Sequence, residues 1–578
     1  MKGFYNKLLR IDLSNQTYNV EKIDDEVLKN NFGGKGLGTY LLTKNIKPDI
    51  DPLSEHNKLI LTVGPATDTI IPGASRYGVY SKSPLTGIYG ESVSGGHAAP
   101  AIKKTGYDAI IFEGVSRAPV YVEISDKNIS FHKADHLSGK DTYFTEETVL
   151  KEVNNPNAQA IVIGPAAENL VRFACIVNNK WRCAGRVGMG AVMGSKRLKA
   201  VVFHGESNCE IADLNMLKEY VKSLNEKAKS DPVVKAYQMY GTPMQVAVTN
   251  KFNTFPTKYW SKGHFDNWEN LSADYMRNNM ETKPKACHRC FLACGKLNKI
   301  KNGKYAGLTI EGPEYETIYA IGGLNCLNSL EEVAYLNDIC DKLGIDTMTA
   351  GNLAGFTIEA VKKGRVKRNL DYGDTEGIAA LFYEIGNRSG ETGDILANGI
   401  KYASKKWGME DEAVHVKGLE PAGFDPRVLK GMGLAYATST RGACHLRATF
   451  YKLELSGMVD PDKIDGKAEI FVELEDRMTI FDTMILCRFF RDLIDWEGLK
   501  LIIKSTTGIT MNQSELKKMA NNIVTATREF NLQNGLTRKD DTLPKRFFET
   551  PLPETGKIIN KSDLDKMVDD YYSLRGWK

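Results

Sequence analysis

The pattern of hydrophobic positions divides the chain into an N-terminal part with short apolar runs and a longer part with helical periodicity. Up to about residue 210, β-branched and aromatic runs such as residues 59–63, 109–112 and 160–163 are separated by Gly and Pro, which predicts strands. From about Asp213, apolar residues recur every three or four positions, for example over residues 214–229, which predicts amphipathic helices. We therefore expect a β-rich beginning and a mainly helical remainder.

Length and composition exclude several classes of protein. A chain of 578 residues is long enough for three or four domains, at about 100 to 200 residues per domain. Its net charge of +4 and the absence of a dense Lys/Arg run argue against a nucleic-acid binder. No apolar segment reaches the roughly 18 residues that a membrane span needs. Charged residues stand where a signal peptide needs an apolar stretch, so we expect a cytoplasmic protein.

The strongest local motif is a cysteine run, Cys287-x2-Cys290-x3-Cys294. Three thiolates so close together would repel each other unless a cation or cluster neutralised them. Structural zinc usually takes two paired knuckles, and no second pair occurs. An iron–sulfur cluster is the favoured interpretation, and three unligated buried cysteines are the alternative. A [4Fe-4S] cluster needs a fourth thiolate, and spacing alone leaves seven candidates: Cys175, Cys183, Cys209, Cys326, Cys340, Cys444 and Cys487.

Two glycine-rich segments, residues 76–96 and 182–196, contain arginines among their glycines. Glycine lets the backbone approach a ligand closely, and the forked arginine donors suit phosphate. The order Gly185-x-x-Gly188-x-Gly190 is not that of a dinucleotide-binding motif, so we reject a Rossmann site. These segments predict phosphate binding, with simple tight turns as the alternative.

Taken together, seven motifs in one order along the full chain resemble the aldehyde:ferredoxin oxidoreductase family. They are residues 10–13, 33–38, 83–87, 184–196, 287–294, 312–317 and 571–577. The resemblance implies an α+β fold, in which an N-terminal β-rich pterin-binding base domain (residues 1–210) precedes two mainly α-helical domains. The first of these (211–417) would carry the cysteine run, and the second (418–578) the fourth cluster cysteine.

The family's cofactors follow from the same resemblance. A tungsten ion, with molybdenum as the alternative, is held by two pterin dithiolenes whose phosphates share a Mg²⁺ ion, beside one [4Fe-4S] cluster. The implied cluster ligands are Cys287, Cys290, Cys294 and Cys487. The implied cofactor-binding residues are Arg76, Val93, Gly95, Gly96, Arg182, Cys183, Ala184, Gly185, Asp341, Asp346, Asp482 and Cys487.

Within this set, the roles differ. The family's D-x-x-G-L-C/D pattern matches residues 341–346 with Ile345 in place of leucine, and residues 482–487 match it except for Ile485 in place of glycine. Aspartates there can accept hydrogen bonds from a pterin edge, and solvated helix ends are the alternative. Arg76 and Arg182 match arginines at the pterin phosphates and the cluster. The backbone carbonyls of Val93 and Cys183 match ligands of the Mg²⁺ ion.

Two residues match the family's acid–base pair near the metal, Glu314 and His445. Oxidising an aldehyde with water releases protons, which a carboxylate or imidazole can accept. Glu311 and Glu316 are close in sequence to Glu314, and a hydrogen-bonded core histidine is the alternative for His445. Some relatives bind an extra iron through E-x-x-H, but residues 332–335 end in Tyr, so we do not predict that iron.

The resemblance therefore implies an enzyme that oxidises an aldehyde with water to a carboxylic acid. Electrons would pass through the cluster to ferredoxin or a small ferredoxin-like subunit, and a homo-oligomer is compatible with the sequence. A catalytic subunit that reduces benzoyl-coenzyme A and a non-catalytic iron–sulfur subunit are the alternatives, with a zinc-stabilised structural protein as a more distant one.

Overall fold

A computed structural model describes residues 1–577 and places fifteen strands in them. The strands are β1 Lys7–Asp12, β2 Thr17–Lys22, β3 Leu59–Thr62, β4 Tyr77–Lys82, β5 Tyr89–Ser94, β6 Ala109–Glu113, β7 Val120–Ile124, β8 Ile129–Lys133, β9 Gln159–Val162, β10 Ile176–Asn178, β11 Arg182–Ala184, β12 Leu198–Phe203, β13 Met280–Lys285, β14 Gly295–Ile300 and β15 Thr309–Glu311.

The helices lie mainly after residue 213. They are α1 Asp25–Asn31, α2 Gly34–Asn45, α3 Ala98–Lys104, α4 Thr142–Val153, α5 Pro165–Glu168, α6 Met189–Ser195, α7 Leu214–Ser230, α8 Pro232–Tyr240, α9 Gln245–Lys251, α10 Ala273–Asn279, α11 Tyr315–Thr317, α12 Leu330–Leu343, α13 Thr347–Lys362, α14 Thr375–Asn387, α15 Gly390–Ala397, α16 Ile400–Trp407, α17 Lys430–Thr438, α18 Tyr451–Leu455, α19 Lys467–Thr483, α20 Trp496–Thr507, α21 Gln513–Gln533, α22 Lys545–Glu549 and α23 Lys561–Arg575. The predicted α+β fold, β-rich first and helical afterwards, is confirmed. None of these helices is long and apolar enough to cross a membrane.

Two six-stranded sheets form the N-terminal part. The first has the order β2-β1-β6-β3-β4-β5 and the second the order β11-β10-β9-β12-β7-β8. Each contains one parallel pair, β1 with β6 and β7 with β12, and is otherwise antiparallel. Strands β3 and β12 are buried along their whole length, which explains their mainly apolar sequences.

The two sheets meet through their edge strands, because β5 ends one sheet, β11 ends the other, and β5 and β11 are in contact. Asn178 on β10 connects them: its Oδ1 accepts hydrogen bonds from Ser94 Oγ at 2.7 Å and Tyr77 Oη at 3.0 Å. Its Nδ2 donates to the Gly95 carbonyl at 3.0 Å. The two glycine-rich segments of the sequence are thereby brought together.

A small third sheet, β13-β14-β15, interrupts the helical part. The sequence analysis predicted mainly helices here and did not predict this sheet. The cysteine run occupies the loop between β13 and β14, which are antiparallel neighbours from Met280 paired with Ile300 to Lys285 paired with Gly295. The hairpin therefore fixes both ends of the run.

The C-terminal helices pack onto the N-terminal part through α2, which contacts β3 and β4 on one side and α19 and α21 on the other. Helix α21 begins with a capping box, in which Asn512 and Glu515 satisfy each other's backbone N–H groups. Asp482 lies in the last turn of α19 and Cys487 follows shortly after the helix, so this packing brings the C-terminal residues of the predicted site to the sheets.

Candidate active site

The four cysteines implied as cluster ligands lie around one cavity of about 270 Å³. Cys287, Cys290 and Cys294 come from the β13–β14 loop, and Cys487 comes from the turn after α19. The same cavity is lined by Arg76, Val93, Gly95, Trp181, Arg182, Cys183, Glu311, Glu314 and Phe489, among others. Within residues 1–577, no three His, Cys, Asp or Glu side chains form a site for a single metal ion. The thiols surround a space instead, as a polynuclear cluster requires.

Positive charge and backbone donors face these thiols. Arg76 Nη2 lies 3.4 Å from Cys487 Sγ, and the Gly96 N–H donates to Cys287 Sγ over 3.2 Å. Burial, together with the neighbouring thiols Cys487 and Cys287, raises the pKa of Cys290 to about 12. Thiolates in this position therefore need a bound cation or cluster for their stabilisation.

Gly95 lies close to one of the cysteines of this cavity. A Cβ atom built on Gly95 would lie 3.1 Å from Cys287 Sγ, so a side chain there would have to displace the thiol by a few tenths of an ångström. Val93 and Cys183 line the cavity from the edge strands β5 and β11. Edge strands present backbone groups without a strand partner, so carbonyls of these strands are suited to bind a cation.

A second, smaller cavity of about 130 Å³ lies next to the first and shares four residues with it: Trp181, Cys183, Glu311 and Glu314. Asp341 and Asp346 both line it. Asp341 lies at the end of α12, Gly344 follows with φ +73°, and Asp346 caps α13 by accepting from the Met348 N–H. The D-x-x-G-x-D motif is thus a helix–turn–helix junction that aims two carboxylates into one cavity.

The two carboxylates of this junction, Asp341 and Asp346, differ in their electrostatic surroundings. Burial, together with the negative charges of Asp338 and Glu311, raises the pKa of Asp341 well above its ordinary value. Asp341 Oδ2 accepts from Asn337 Nδ2 at 3.0 Å. Asp346 Oδ2 instead pairs with Arg186 Nε at 2.9 Å. One carboxylate is therefore compensated within the protein and the other is only partly satisfied.

The second copy of the motif keeps the same backbone despite its isoleucine. Ile485 has φ +61°, close to the +73° of Gly344. A β-branched residue is strained in this left-handed region, and the Ile485 side chain is held there by burial against Gly34 and Gly64. The substitution thus preserves the turn that presents Asp482 and Cys487.

A buried network of charges surrounds Asp482, and sequence reasoning did not identify it. Arg488 pairs with Asp482, and Arg447 Nη1 lies 2.6 Å from Glu91 Oε2 and 3.9 Å from Asp482 Oδ2. Lys35 Nζ also pairs with Glu91, at 2.9 Å. These residues come from four distant parts of the chain, so no local pattern could have grouped them.

A third cavity of about 160 Å³ contains the predicted acid–base residues Glu314 and His445. The side chains of Glu314 and His445 are not paired with each other. His445 Nε2 lies 3.5 Å from Glu316 Oε1, whereas the Glu314 carboxylate is hydrogen-bonded to Thr242. The local structure explains the difference, because Glu314 precedes α11 and Glu316 lies within it. A π-helical turn, Ile318–Gly323, follows directly, a feature that is frequent at functional sites.

Burial shifts both members of this pair towards their neutral forms. It raises the pKa of Glu316 from 4.5 to about 8, although the Gly423 N–H and Arg186 act in the opposite direction. The pKa of His445 lies well below its ordinary value because of burial and the nearby Arg441 and Arg186. A carboxyl group with a pKa near neutrality can accept and release protons at physiological pH.

Glu314 connects the three cavities, since it lines the cysteine cavity, the aspartate cavity and the acid–base cavity. A surface cleft of about 510 Å³ lies next to the acid–base cavity. The two spaces share four lining residues: Tyr237, Gln245, Tyr451 and Arg491. The arrangement leads from the surface to the acid–base pair and on to the cysteines.

Family models match almost the whole chain. The model for the N-terminal domain of aldehyde ferredoxin oxidoreductase matches residues 8–205, and the model for domains 2 and 3 matches residues 219–578. The chain belongs to the aldehyde ferredoxin oxidoreductase family. The resemblance seen in the sequence is thereby confirmed, and the chain is an oxidoreductase by membership of this enzyme family.

Several known proteins are similar to this chain over its full length. The tungsten-containing aldehyde ferredoxin oxidoreductase of Pyrococcus furiosus is 36% identical over 590 residues, covering 100% of this chain and 97% of that protein. That of Thermococcus kodakarensis gives the same identity and coverage. The WOR-like subunit of an aliphatic sulfonate oxidoreductase from Pyrococcus furiosus is 29% identical over 620 residues, covering 100% of this chain and 95% of that protein.

Among solved structures, the active-site complex BamBC of benzoyl coenzyme A reductase, in complex with 1,5-dienoyl-CoA, has the same fold. It superposes with a TM-score of 0.88 at 24% identity, over 100% of this chain and 95% of that one. At this identity the likeness concerns the fold alone.

Proposed function

We propose that this chain is a tungsten–pterin oxidoreductase that converts an aldehyde and water into a carboxylic acid. The reaction releases two electrons and two protons per aldehyde, and the electrons pass through a [4Fe-4S] cluster to ferredoxin or a ferredoxin-like subunit. The observation that carries the proposal is the row of three adjoining cavities, lined by cysteines, by aspartates and by the Glu316–His445 pair, with Glu314 in the wall of each.

The residues present fit the implied cofactors. Trp181 Nε1, Glu311 Oε2, Arg447 Nε and Arg488 Nε are buried and have no hydrogen-bond partner within residues 1–577. Buried polar atoms are normally satisfied, so these atoms indicate polar ligands beside them. Trp181 and Glu311 line both the cysteine cavity and the aspartate cavity, where a pterin would contact the cluster ligands.

Each group of residues then has a role. Cys287, Cys290, Cys294 and Cys487 would hold the cluster. Asp341, Asp346 and Asp482 would accept hydrogen bonds from the pterins. Arg76 and Arg182, with the backbone of Gly95, Gly96, Ala184 and Gly185, would face the phosphates, and the carbonyls of Val93 and Cys183 would bind Mg²⁺. When bound, the metal–pterin group supplies the two-electron chemistry.

The protein's own contribution is proton transfer and positioning. We assign the base to Glu316, because its carboxyl group contacts His445 and its pKa lies near 8. His445, held neutral by its surroundings, is able to hydrogen-bond the aldehyde oxygen or the attacking water. Glu314, hydrogen-bonded to Thr242 and shared by all three cavities, is assigned to positioning.

The test is elemental analysis of anaerobically purified protein, followed by an aldehyde assay on the same sample. About four irons with acid-labile sulfide and about one tungsten or molybdenum per chain, together with aldehyde-dependent reduction of a viologen dye or ferredoxin, are expected. Iron without tungsten or molybdenum would instead indicate a non-catalytic electron-transfer subunit, and zinc without sulfide a structural protein.

The benzoyl-coenzyme A alternative is tested in the same preparation, because the fold is shared with that reductase complex. Reduction of benzoyl-coenzyme A without oxidation of any aldehyde would refute the aldehyde proposal. The mainly apolar lining of the surface cleft favours a small organic aldehyde over the polyanionic coenzyme A.

A further inference from the structure

The boundary between the acid–base cavity and the surface cleft contains an unusual cation, Arg491. The cavity and the cleft share four lining residues, Tyr237, Gln245, Tyr451 and Arg491. Beyond them, the cleft is lined mainly by apolar side chains: Pro232, Val233, Ala236, Tyr240, Met244, Val248 and Leu455. A molecule that passes between cavity and cleft therefore passes the place where these four residues, Arg491 among them, line both spaces.

Arg491 is buried without a carboxylate partner. Arg491 is only 5% exposed to solvent. Nη1 donates to the Arg488 carbonyl at 2.9 Å, and the guanidinium lies beside the phenol groups of Tyr237 and Tyr451. Within residues 1–577, no carboxylate oxygen comes within 4.0 Å of it. The adjacent Asp492 is already paired with Lys452.

The other buried arginines of the site all have a carboxylate or thiol partner. The pairs are Arg76 with Cys487, Arg182 with Glu311, Arg186 with Asp346, Arg441 with Cys444, Arg447 with Glu91, and Arg488 with Asp482. A buried charge is costly unless an opposite charge compensates it. Arg491 therefore has a vacant interaction that an anion in the cavity would complete.

The reaction proposed above produces such an anion. A neutral aldehyde enters the cavity, and the acid that leaves it is a carboxylate at neutral pH. We propose that Arg491 binds the carboxylate of the product acid at the exit of the reaction cavity, while the acid's apolar tail lies in the surface cleft. This inference rests on the proposed function. The planar guanidinium matches a carboxylate with two parallel hydrogen bonds, and the hydroxyls of Tyr237 and Tyr451 can donate to the same group.

The site is tested by direct binding rather than by turnover. Benzoate and its uncharged analogue benzamide are titrated calorimetrically into the oxidised, anaerobic holoenzyme. In Arg491→Gln we expect benzoate to bind about 10- to 100-fold more weakly, with benzamide changed by less than about twofold. Arg491→Lys keeps the positive charge but lacks the two parallel N–H donors of the guanidinium. We therefore expect its loss of benzoate affinity to be intermediate.

Lys517→Gln serves as a matched control for net charge, since Lys517 forms an exposed ion pair with Glu473. It should bind benzoate as the wild type does. If Arg491→Gln does not fold, Arg491→Lys carries the test, and wild-type affinity in that variant would refute the bidentate contact. Unchanged benzoate affinity in a folded Arg491→Gln variant, or equal losses for benzoate and benzamide, would overturn the proposal.

Steady-state kinetics separate this role from recognition of the substrate. Product inhibition by benzoate should weaken in Arg491→Gln, while KM for benzaldehyde stays within about twofold of the wild type. A rise in KM confined to aldehydes with a second carboxylate, with benzoate affinity unchanged, would assign Arg491 to the substrate instead. Aldehyde oxidation by the wild type, measured in the same preparation, shows separately whether the proposed function itself fails.

Discussion

The assignment of the base to Glu316 gives the most direct prediction. Glu316→Gln keeps the shape of the side chain and an oxygen that can accept from the Gly423 N–H, which now donates to Glu316 Oε2 at 3.0 Å. It removes the titrating group. Because a positioned general base contributes about 10²- to 10⁴-fold, we expect kcat/KM for aldehyde oxidation to fall by that factor in Glu316→Gln.

The pH dependence follows from the raised pKa. Glu316 accepts a proton only when it is ionised, and its pKa of about 8 means that the ionised fraction grows as the pH rises towards 8. The wild-type kcat/KM should therefore increase about tenfold per pH unit below about pH 7 and level off above about pH 9. In Glu316→Gln this inflection should be absent, because no group with that pKa remains in the base position.

Glu314→Gln is the matched control, since Glu314 lines the same cavity and has the same shape. We expect a smaller loss, below about tenfold, with the inflection retained. The assay is dye reduction under argon with benzaldehyde, on preparations whose tungsten and iron contents are equal. If Glu314→Gln abolished turnover while Glu316→Gln kept the wild-type pH profile, the assignment of the base would be wrong.

Three further changes test the surroundings of the cofactors. Cys290→Ser should lower the iron and labile-sulfide content of the purified protein, whereas equal iron content would exclude Cys290 as a ligand. Gly34→Ala should destabilise the fold, because the added Cβ would lie 2.1 Å from the Asp482 carbonyl oxygen; thermal unfolding of the variant would show a lower Tm, and an unchanged Tm would contradict the packing. Ile485→Gly should relieve backbone strain of about 1–2 kcal/mol but lose about 2–5 kcal/mol of buried contact, so a net loss in denaturant unfolding is expected, and a gain would show that strain dominates.

The sequence predicted the parts of the site that are encoded locally. The cysteine run and the D-x-x-G-x-D junction are short motifs whose geometry depends on a hairpin or a helix end, and they line adjoining cavities. The sequence shows that Ile485 stands where the pattern has glycine, and a β-branched residue rarely adopts a positive φ. The turn is kept because Gly34 and Gly64, which are far away in sequence, make room for the Ile485 side chain.

The choice between Glu314 and Glu316 could not be made from the sequence. Both lie within a few residues of each other, and only the start of α11 between them decides which carboxylate turns towards His445. Arg491 gave no sequence signal either, because its importance lies in the absence of a partner, which is a property of tertiary packing. The domain division near residues 210 and 417 stays a prediction.

The meeting of strands β5 and β11 has a consequence for how the protein matures. If the proposed function holds, the phosphates and Mg²⁺ would lie at the seam between the two sheets, where β5 meets β11 beside the C-terminal turn that carries Cys487. A ligand that binds only the folded chain stabilises it by an amount that grows with the logarithm of the ratio of its free concentration to its Kd. In a cell short of tungsten or pterin, the newly made chain would lack this stabilisation at the contact between β5 and β11. It would then be more open to cleavage by proteases. The amount of intact protein, and not only its activity, would then follow the supply of cofactor.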